Sequence, residues 1–277
     1  MVEQEHRLGY VKIPNFHEVR ELPTCGSWFV VEEKVDGKTF DGSSACVEVW
    51  GVELCVFGEY VGVTHLIFYK DLMSYVFVFD VRLNGMYLKP LPKVLISTLL
   101  GIPHAPIKGF IREVTEEVVT QYYIEEKSYF KTDLNPVVCK KHPQICQNFK
   151  ELYGENFSEG IVVKCYEDGK IKAVKYVKPE FDKIINEIGR YENYPNTNIV
   201  KFNIDTAAKL QKTNLEKVIK NNASQTHIQN LLKLFIEAYE NTYSSKTIEE
   251  AVKTLPGRNK DMLKIAIERC VSNLEAC

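Results

Sequence analysis

No run of eighteen or more apolar residues occurs anywhere in the 277-residue chain, so no transmembrane helix is expected. The opening MVEQEHRLGY lacks a basic segment followed by an apolar core. A secretory leader is therefore not expected, and the chain is assigned to the compartment where it is made, the cytoplasm. Internal repeats and low-complexity tracts are absent as well. Neither sign of charge dominates: 35 Lys+Arg stand against 37 Asp+Glu, a net of −2, which neither favours nor excludes a nucleic-acid partner. The eight cysteines (25, 46, 55, 139, 146, 165, 270, 277) follow no repeated spacing. Without a leader this argues for reduced thiols, with Cys46, Cys55 and Cys165 read as small buried hydrophobes. Cys139, His142 and Cys146 supply three possible ligands but no fourth to close a tetrahedral zinc site, so they are read as incidental.

What is present divides into two parts. Up to about residue 180 the chain carries short runs rich in Val, Ile, Phe and Tyr, bounded by Asp-Gly, Asn-Gly and Gly-Glu: Trp28–Glu33, Ala45–Phe57, Tyr75–Arg82, Gly160–Cys165 and Ile171–Val177. Asp168-Gly169 between the last two predicts a hairpin. Helical spacing appears over Pro92–Leu100, Val114–Tyr122, Asn148–Tyr153 and Phe181–Tyr191. After Pro195 only helical periodicity remains, as in Ile228, Leu231, Leu232, Phe235 and Tyr239, and Pro256-Gly257 precedes a last helix over Asn259–Asn273. This tail holds 12 Lys+Arg against 9 Asp+Glu, net +3, on a body that carries the remaining −5. The predicted fold class is α+β, with antiparallel sheets flanked by helices over residues 1–190 and a small all-helical domain over residues 196–277. A mildly basic tail suits an accessory module near phosphate, or simply a packing cap.

The chemistry-bearing residues fall in a definite order. Glu33-Lys34-Val35-Asp36-Gly37 places an amine at a strand end, just before a tight turn. Gly58-Glu59 ends another strand-like run. Phe79-Asp80 puts a carboxylate inside an apolar strand, where it needs a partner or a cation. Glu159-Gly160 opens a further buried strand, and AVKYVKPEF offers Lys175 and Lys178 at the end of the next. Each alone has an ordinary explanation as turn chemistry, edge protection or core. The ordered set is what points to a site.

That order resembles the covalent nucleotidyltransferases, the superfamily of ATP-dependent ligases and capping enzymes. EKVDG looks like their motif I, VFGEYVG like motif III, VFVFD like motif IIIa, EGIVVK like motif IV and AVKYVK like motif V. Over roughly residues 9–185 the chain is most similar to the bacteriophage RNA ligase 2-like family, notably in VFGEYVGVTHLIFYKDLMSYVFVFDVR and KYVKPEF. The resemblance implies an adenylation domain that uses ATP with Mg²⁺ or Mn²⁺ to join 5′-phosphate and 3′-hydroxyl ends of RNA, at nicks in a duplex or at broken ends. Lys34 would be the nucleophile that carries AMP. Lys175, with Lys178, would neutralise the α-phosphate, and their charges with partial burial would lower the pKa of Lys34. Glu159 would face the metal, Phe79 would stack on adenine, and Glu59 would bond the ribose hydroxyls. Glu33 would lie near the adenine edge, with Gly37 in the nucleotide-binding turn, while Asp80 would support the site from behind.

Two features depart from the pattern. No Lys or Arg occurs between Lys38 and Lys70, where such ligases carry a basic residue that meets phosphate. Lys38 and Arg82 are the candidates to replace it. Lys178 stands one step beyond the usual second lysine, on the opposite face of an ideal strand, which makes Lys175 the safer assignment. His65 either contacts the nucleic-acid end or caps a turn. A minimal DNA ligase, a capping-type guanylyltransferase and an inert nucleic-acid-binding relative are the alternatives. The first two usually append a five-stranded barrel domain, whose pattern does not occur after Lys178. The expected partner is RNA, with DNA as the alternative, no membrane is involved, and the chain is expected to be a monomer.

Overall fold

The structure is a computed structural model that describes residues 10–40, 46–49, 52–61, 66–70, 76–99, 102–124 and 127–188. The helical tail expected from residue 196 onward, its charge and His65 lie outside the described residues. Among those described, no helix is long and apolar enough to cross a membrane.

The β-branched and aromatic runs form strands, and the short polar breaks between them form the turns. In chain order these are β1 (Phe29–Lys34), β2 (Lys38–Phe40), β3 (Cys46–Val49), β4 (Val52–Tyr60), β5 (Ile67–Tyr69), β6 (Val76–Leu83) and β7 (Met86–Tyr87). Helix α1 (Pro90–Leu99) follows, then β8 (Ile107–Ile111), α2 (Glu116–Ile124), β9 (Thr132–Leu134), α3 (Pro136–Lys141) and α4 (Pro143–Tyr153). The hairpin β10 (Gly160–Glu167) and β11 (Lys170–Val177) leads into α5 (Pro179–Ile188). Helices α1, α4 and α5 begin on proline, which needs no N–H in the first turn. That is why α1 and α4 start earlier than hydrophobic spacing alone indicated. Asp168 and Gly169, at φ 50° and 69°, make the two-residue turn whose twist matches an antiparallel hairpin.

The strands assemble into antiparallel sheets. One has the order β11-β10-β1-β8, a second the order β2-β4-β6-β7 with β3 also on β4, and β5 pairs with β9. In the first sheet, strand alternation separates two faces. Phe29, Val31, Ile161, Val163, Cys165, Val174 and Tyr176 share one buried cluster with Val114 and Val119 beside α2. Glu32, Lys34, Val162, Lys164 and Lys175 belong to the opposite parity and line a cleft. A second cluster, in which Phe149, Phe157 and Phe181 meet Leu66 and Leu134, fixes α4 and α5 to the β5–β9 pair.

Some elements were not visible in the sequence. β5, β7 and β9 are two or three residues long, too short for any periodicity to register. β8 follows two prolines, Pro103 and Pro106, and holds Gly109 at its centre, yet pairs with β1 through a register shift between Val31 and Glu32. The cysteines differ from expectation as well. Cys25 pairs with Cys165 and Cys139 with Cys146, at Cα separations of 6.2 and 5.4 Å that suit disulfides. Cys165 is thus both a core residue and a bonded one, because its partner lies 140 residues away where spacing cannot reveal it. Cys139, His142 and Cys146 form no ligand group; among the described residues the grouping with metal-ligand spacing is Cys25, Cys165 and Glu167.

Candidate active site

A cleft of about 550 Å³ opens between the two larger sheets. Its floor is the charged face of β1, β10 and β11. Glu59 of β4 with Phe77 and Phe79 of β6 forms a wall, and the segment Tyr10–Ile13 forms another. Lys34 ends β1 opposite Gly160 of β10, and this register brings its ammonium beside Glu159, with Nζ 2.5 Å from Oε2. The pair is mostly enclosed, at 21% and 12% side-chain exposure.

The turn after Lys34 is fixed from outside. The Asp36 backbone N–H donates to Tyr69 Oη at 2.8 Å, and its carboxylate accepts from the Ile67 N–H at 3.0 Å, so β5 holds the K-x-D-G turn in place. At Gly37 a Cβ would stand 2.6 Å from Glu59 Cγ and 2.8 Å from the Tyr60 carbonyl, so only glycine lets β4 approach this closely. Gly160 is tighter still, because a Cβ there would meet the Tyr176 carbonyl at 1.9 Å. The Gly that follows Glu159 is thus a packing requirement of β11.

Beneath the cleft lies a buried charge network. Lys164 donates to Glu32 and to Asp80, both at 2.8 Å, and Lys93 pairs with Glu32. Both ammonium groups also donate to the Phe79 carbonyl, at 2.9 Å from Lys164 and 3.1 Å from Lys93. Tyr166 and Tyr10 donate their hydroxyls to the two Asp80 oxygens at 2.6 and 2.5 Å. All four charged groups are almost fully buried, and they balance, two cations against two anions. Burial pushes the Glu32 carboxyl up, but Lys164 and Lys93 outweigh it and hold it below the usual range. Burial likewise works against the Lys164 ammonium, and Asp80 and Glu32 outweigh it and raise its pKa. Asp80 therefore finds the partner that an acid in an apolar strand requires, and the network clamps the backbone that carries Phe79.

Lys34, Glu33, Gly37, Glu59, Phe79 and Lys175 all line the cleft, and Glu159 reaches it through Lys34. Lys178 does not line it. That side chain is buried, with its ammonium 4.6 Å from the Tyr153 ring centroid; burial, with Lys108 and Lys127, pushes it down to about 8 against the pull of Glu33 and Glu180. The Glu33 carboxylate is committed elsewhere, accepting from Ser128 Oγ at 2.5 Å and the Tyr129 N–H at 2.9 Å and pairing with Lys108 at 3.2 Å. Arg82 is buried against Cys55, Glu53 and the Phe57 ring, away from the cleft lining. The side chain of Lys38 lies outside what the structure describes.

One expectation reverses. Neighbouring lysines were to lower the pKa of Lys34. Burial does act in that direction, but Glu159, Glu59 and Asp36 outweigh it and raise the pKa, so the resting protein holds Lys34 as an ammonium. Sequence reading also missed Glu32, Lys93, Lys164, Tyr10 and Lys12. Lys164 closes EGIVVK and was visible as a lysine of inward parity in an apolar strand. The others carry no pattern that marks them.

Residues 46–177 match the RNA ligase family model. Glu59, Phe79, Glu159, Lys164 and Lys175 fall inside the match, while Lys34 lies upstream of it. A solved structure of an archaeal ATP-dependent RNA ligase aligns with 12% identity and a TM-score of 0.38, covering 95% of this chain and 73% of that one. No curated protein matches the sequence. The matched stretch supplies a wall and much of the floor of the cleft, and over these residues the chain is similar to the RNA ligase family.

Proposed function

We propose that the protein is an ATP-dependent RNA ligase in which Lys34 carries AMP covalently. The observation that supports this most directly is the placement of a mostly enclosed amine 2.5 Å from Glu159, in a cleft it shares with Glu59, Phe79 and Lys175. An amine must shed a proton before it can attack, and Glu159 is the nearest acceptor. In the proposed step Lys34 Nζ attacks the α-phosphorus of ATP. The Nζ–P bond forms, the bond from that phosphorus to the β-bridging oxygen breaks, and pyrophosphate leaves with the electron pair. A second proton leaves the nitrogen to give lysyl-AMP. Lys175 faces the charge that develops on the α-phosphate.

Phe79, held by the Lys93 and Lys164 bonds to its carbonyl, offers a fixed ring for adenine. Glu59 is placed to accept from the ribose hydroxyls. Glu33 holds the floor through Ser128, Tyr129 and Lys108, and Lys178 has no phosphate role in this reading. AMP then passes to a 5′-phosphate end of RNA, and a 3′-hydroxyl displaces it to seal the strand. Glu159 and Glu59 provide hard oxygen donors, and among the described residues no three-carboxylate cluster forms at the cleft. This fits Mg²⁺ or Mn²⁺ held by Glu159 and completed by substrate phosphates and water, an ion that would neutralise phosphate charge when bound.

The test is incubation with ATP labelled at the α-phosphate. Wild type should take covalent label and Lys34→Ala should take none while keeping its fold; label persisting in that variant removes Lys34 as nucleophile. ATP against GTP, and nicked RNA against nicked DNA, separate the RNA ligase from the DNA-ligase and capping alternatives. We also place the catalytic domain at residues 1–190 and a helical accessory domain at 196–277. Limited proteolysis of the labelled protein should leave the label on the N-terminal fragment.

A further inference from the structure

The cleft has an electrostatic deficit that the assigned residues do not fill. Its basic lining residues are Lys12, Lys34, Lys164 and Lys175. Lys164 is neutralised by Glu32 and Asp80, and Lys34 by Glu159. Among the described residues only Lys12 and Lys175 in this lining have no carboxylate partner, while Glu59 adds a further carboxylate. A nucleoside triphosphate brings about four negative charges at neutral pH, more than Lys175 alone can meet. The sequence between Lys38 and Lys70 contains no lysine or arginine to share the load, and Arg82 is occupied elsewhere.

The segment bearing Lys12 is anchored along its length. Tyr10 donates to Asp80 at 2.5 Å and packs edge-on against Phe79, with ring centroids 4.7 Å apart. At the other end the Lys175 N–H donates to the Pro14 carbonyl at 3.0 Å, and Asn15 bridges to Lys175. Pro14 biases Ile13 toward extended backbone. Extended chain covers roughly 3.3 Å per residue, so the five steps from Tyr10 to Asn15 reach about 16 Å, from the Phe79 ring to the Lys175 strand. Lys12 lies midway, and its ammonium has the mobility of an exposed lysine stem.

Resting on the ligase reading above, we propose that Lys12 binds the β- and γ-phosphates of ATP, and so takes the part of the basic residue missing after Lys38. Its charge meets the pyrophosphate that leaves when Lys34 attacks. Lys12 therefore matters for the ATP-consuming half of the reaction and not for sealing a strand that already carries AMP.

Three measurements on the full chain test this: self-labelling as a function of ATP concentration, reversal of lysyl-AMP by pyrophosphate, and joining of a chemically pre-adenylylated RNA strand. Lys12→Ala should raise the half-saturating ATP, and the half-saturating pyrophosphate in the reverse direction, by about tenfold, the scale of one charge-assisted contact. Joining of the pre-adenylylated strand should stay within about twofold, and Lys12→Arg should restore most of the ATP affinity. Unchanged ATP and pyrophosphate dependence in Lys12→Ala overturns the proposal, as does an equal loss in pre-adenylylated joining, which would mark a structural role. If wild type itself takes no label, the ligase reading falls and Lys12 with it. If wild type labels and Lys12→Ala matches it, only this inference is lost.

Discussion

Glu159 sets the state of the nucleophile before substrate arrives. As the largest cause that raises the pKa of Lys34 against its own burial, it keeps the amine protonated. The rate of self-adenylylation should therefore climb with pH through the alkaline range, as Lys34 loses its proton. In Glu159→Gln that cause is gone while burial still lowers the pKa, so the rising limb should move to lower pH even if the maximum rate falls. Single-turnover labelling across a pH series checks this, and a limb that stays in place or moves upward contradicts it. Gly37 is the other residue on which the site turns. In Gly37→Ala the new Cβ meets the Glu59 side chain and the Tyr60 carbonyl, and the second is backbone that cannot rotate away. The expected cost is about 1–3 kcal/mol by urea denaturation, with weaker ATP binding because Glu59 is displaced.

At the scale of elements, the cleft floor is a consequence of strand parity. β1, β10 and β11 each put apolar residues into the core on one face and Glu32, Lys34, Val162, Lys164 and Lys175 into the cleft on the other. Lys164→Met should break the network beneath Phe79, leaving Asp80 and Glu32 with too few partners. The expected loss is about 3–5 kcal/mol of stability by urea denaturation. The double variant Lys164→Met/Asp80→Asn should recover part of it, because one stranded charge is removed with its partner. This parity also explains how much was legible in advance. Lys34, Glu59, Phe79, Glu159 and Lys175 sit at ends or interiors of long β-rich runs, where composition and turn residues mark the strand and alternation marks the face. Lys178 sits past the end of β11, where alternation no longer governs, and its ammonium turns to Tyr153. Tyr10 and Lys12 lie in a segment with no regular structure, placed by tertiary contacts such as those to Asp80, Phe79 and Lys175. Glu33 lines the cleft, but the sequence shows its neighbours in the chain and not Ser128, Tyr129 and Lys108, which hold its carboxylate.

At the scale of the whole molecule, two buried titrating systems set the response to acid. His104 lies just outside the cleft lining with its Nδ1–H donating to the Ala105 carbonyl at 2.8 Å, while its buried Nε2 has no hydrogen-bond partner among the described residues. Burial pushes the imidazole down to about 4 from its ordinary 6.5, and Lys93 adds to the effect. Because the unfolded chain takes up this proton near pH 6.5 and the folded chain only near 4, stability falls as pH drops through that window. The shift corresponds to about 3 kcal/mol. Glu32 acts lower down: its pKa is depressed in the folded state, so its contribution is full above about 4.5 and is lost as pH falls further. His104→Phe keeps an apolar ring, gives up only the bond to Ala105, and removes the first window. Urea denaturation at pH 7 and pH 5 should then show a clear loss of stability for wild type and a much smaller loss for His104→Phe. Equal losses in the two proteins would mean that His104 is not the group that makes the fold sensitive to mild acid.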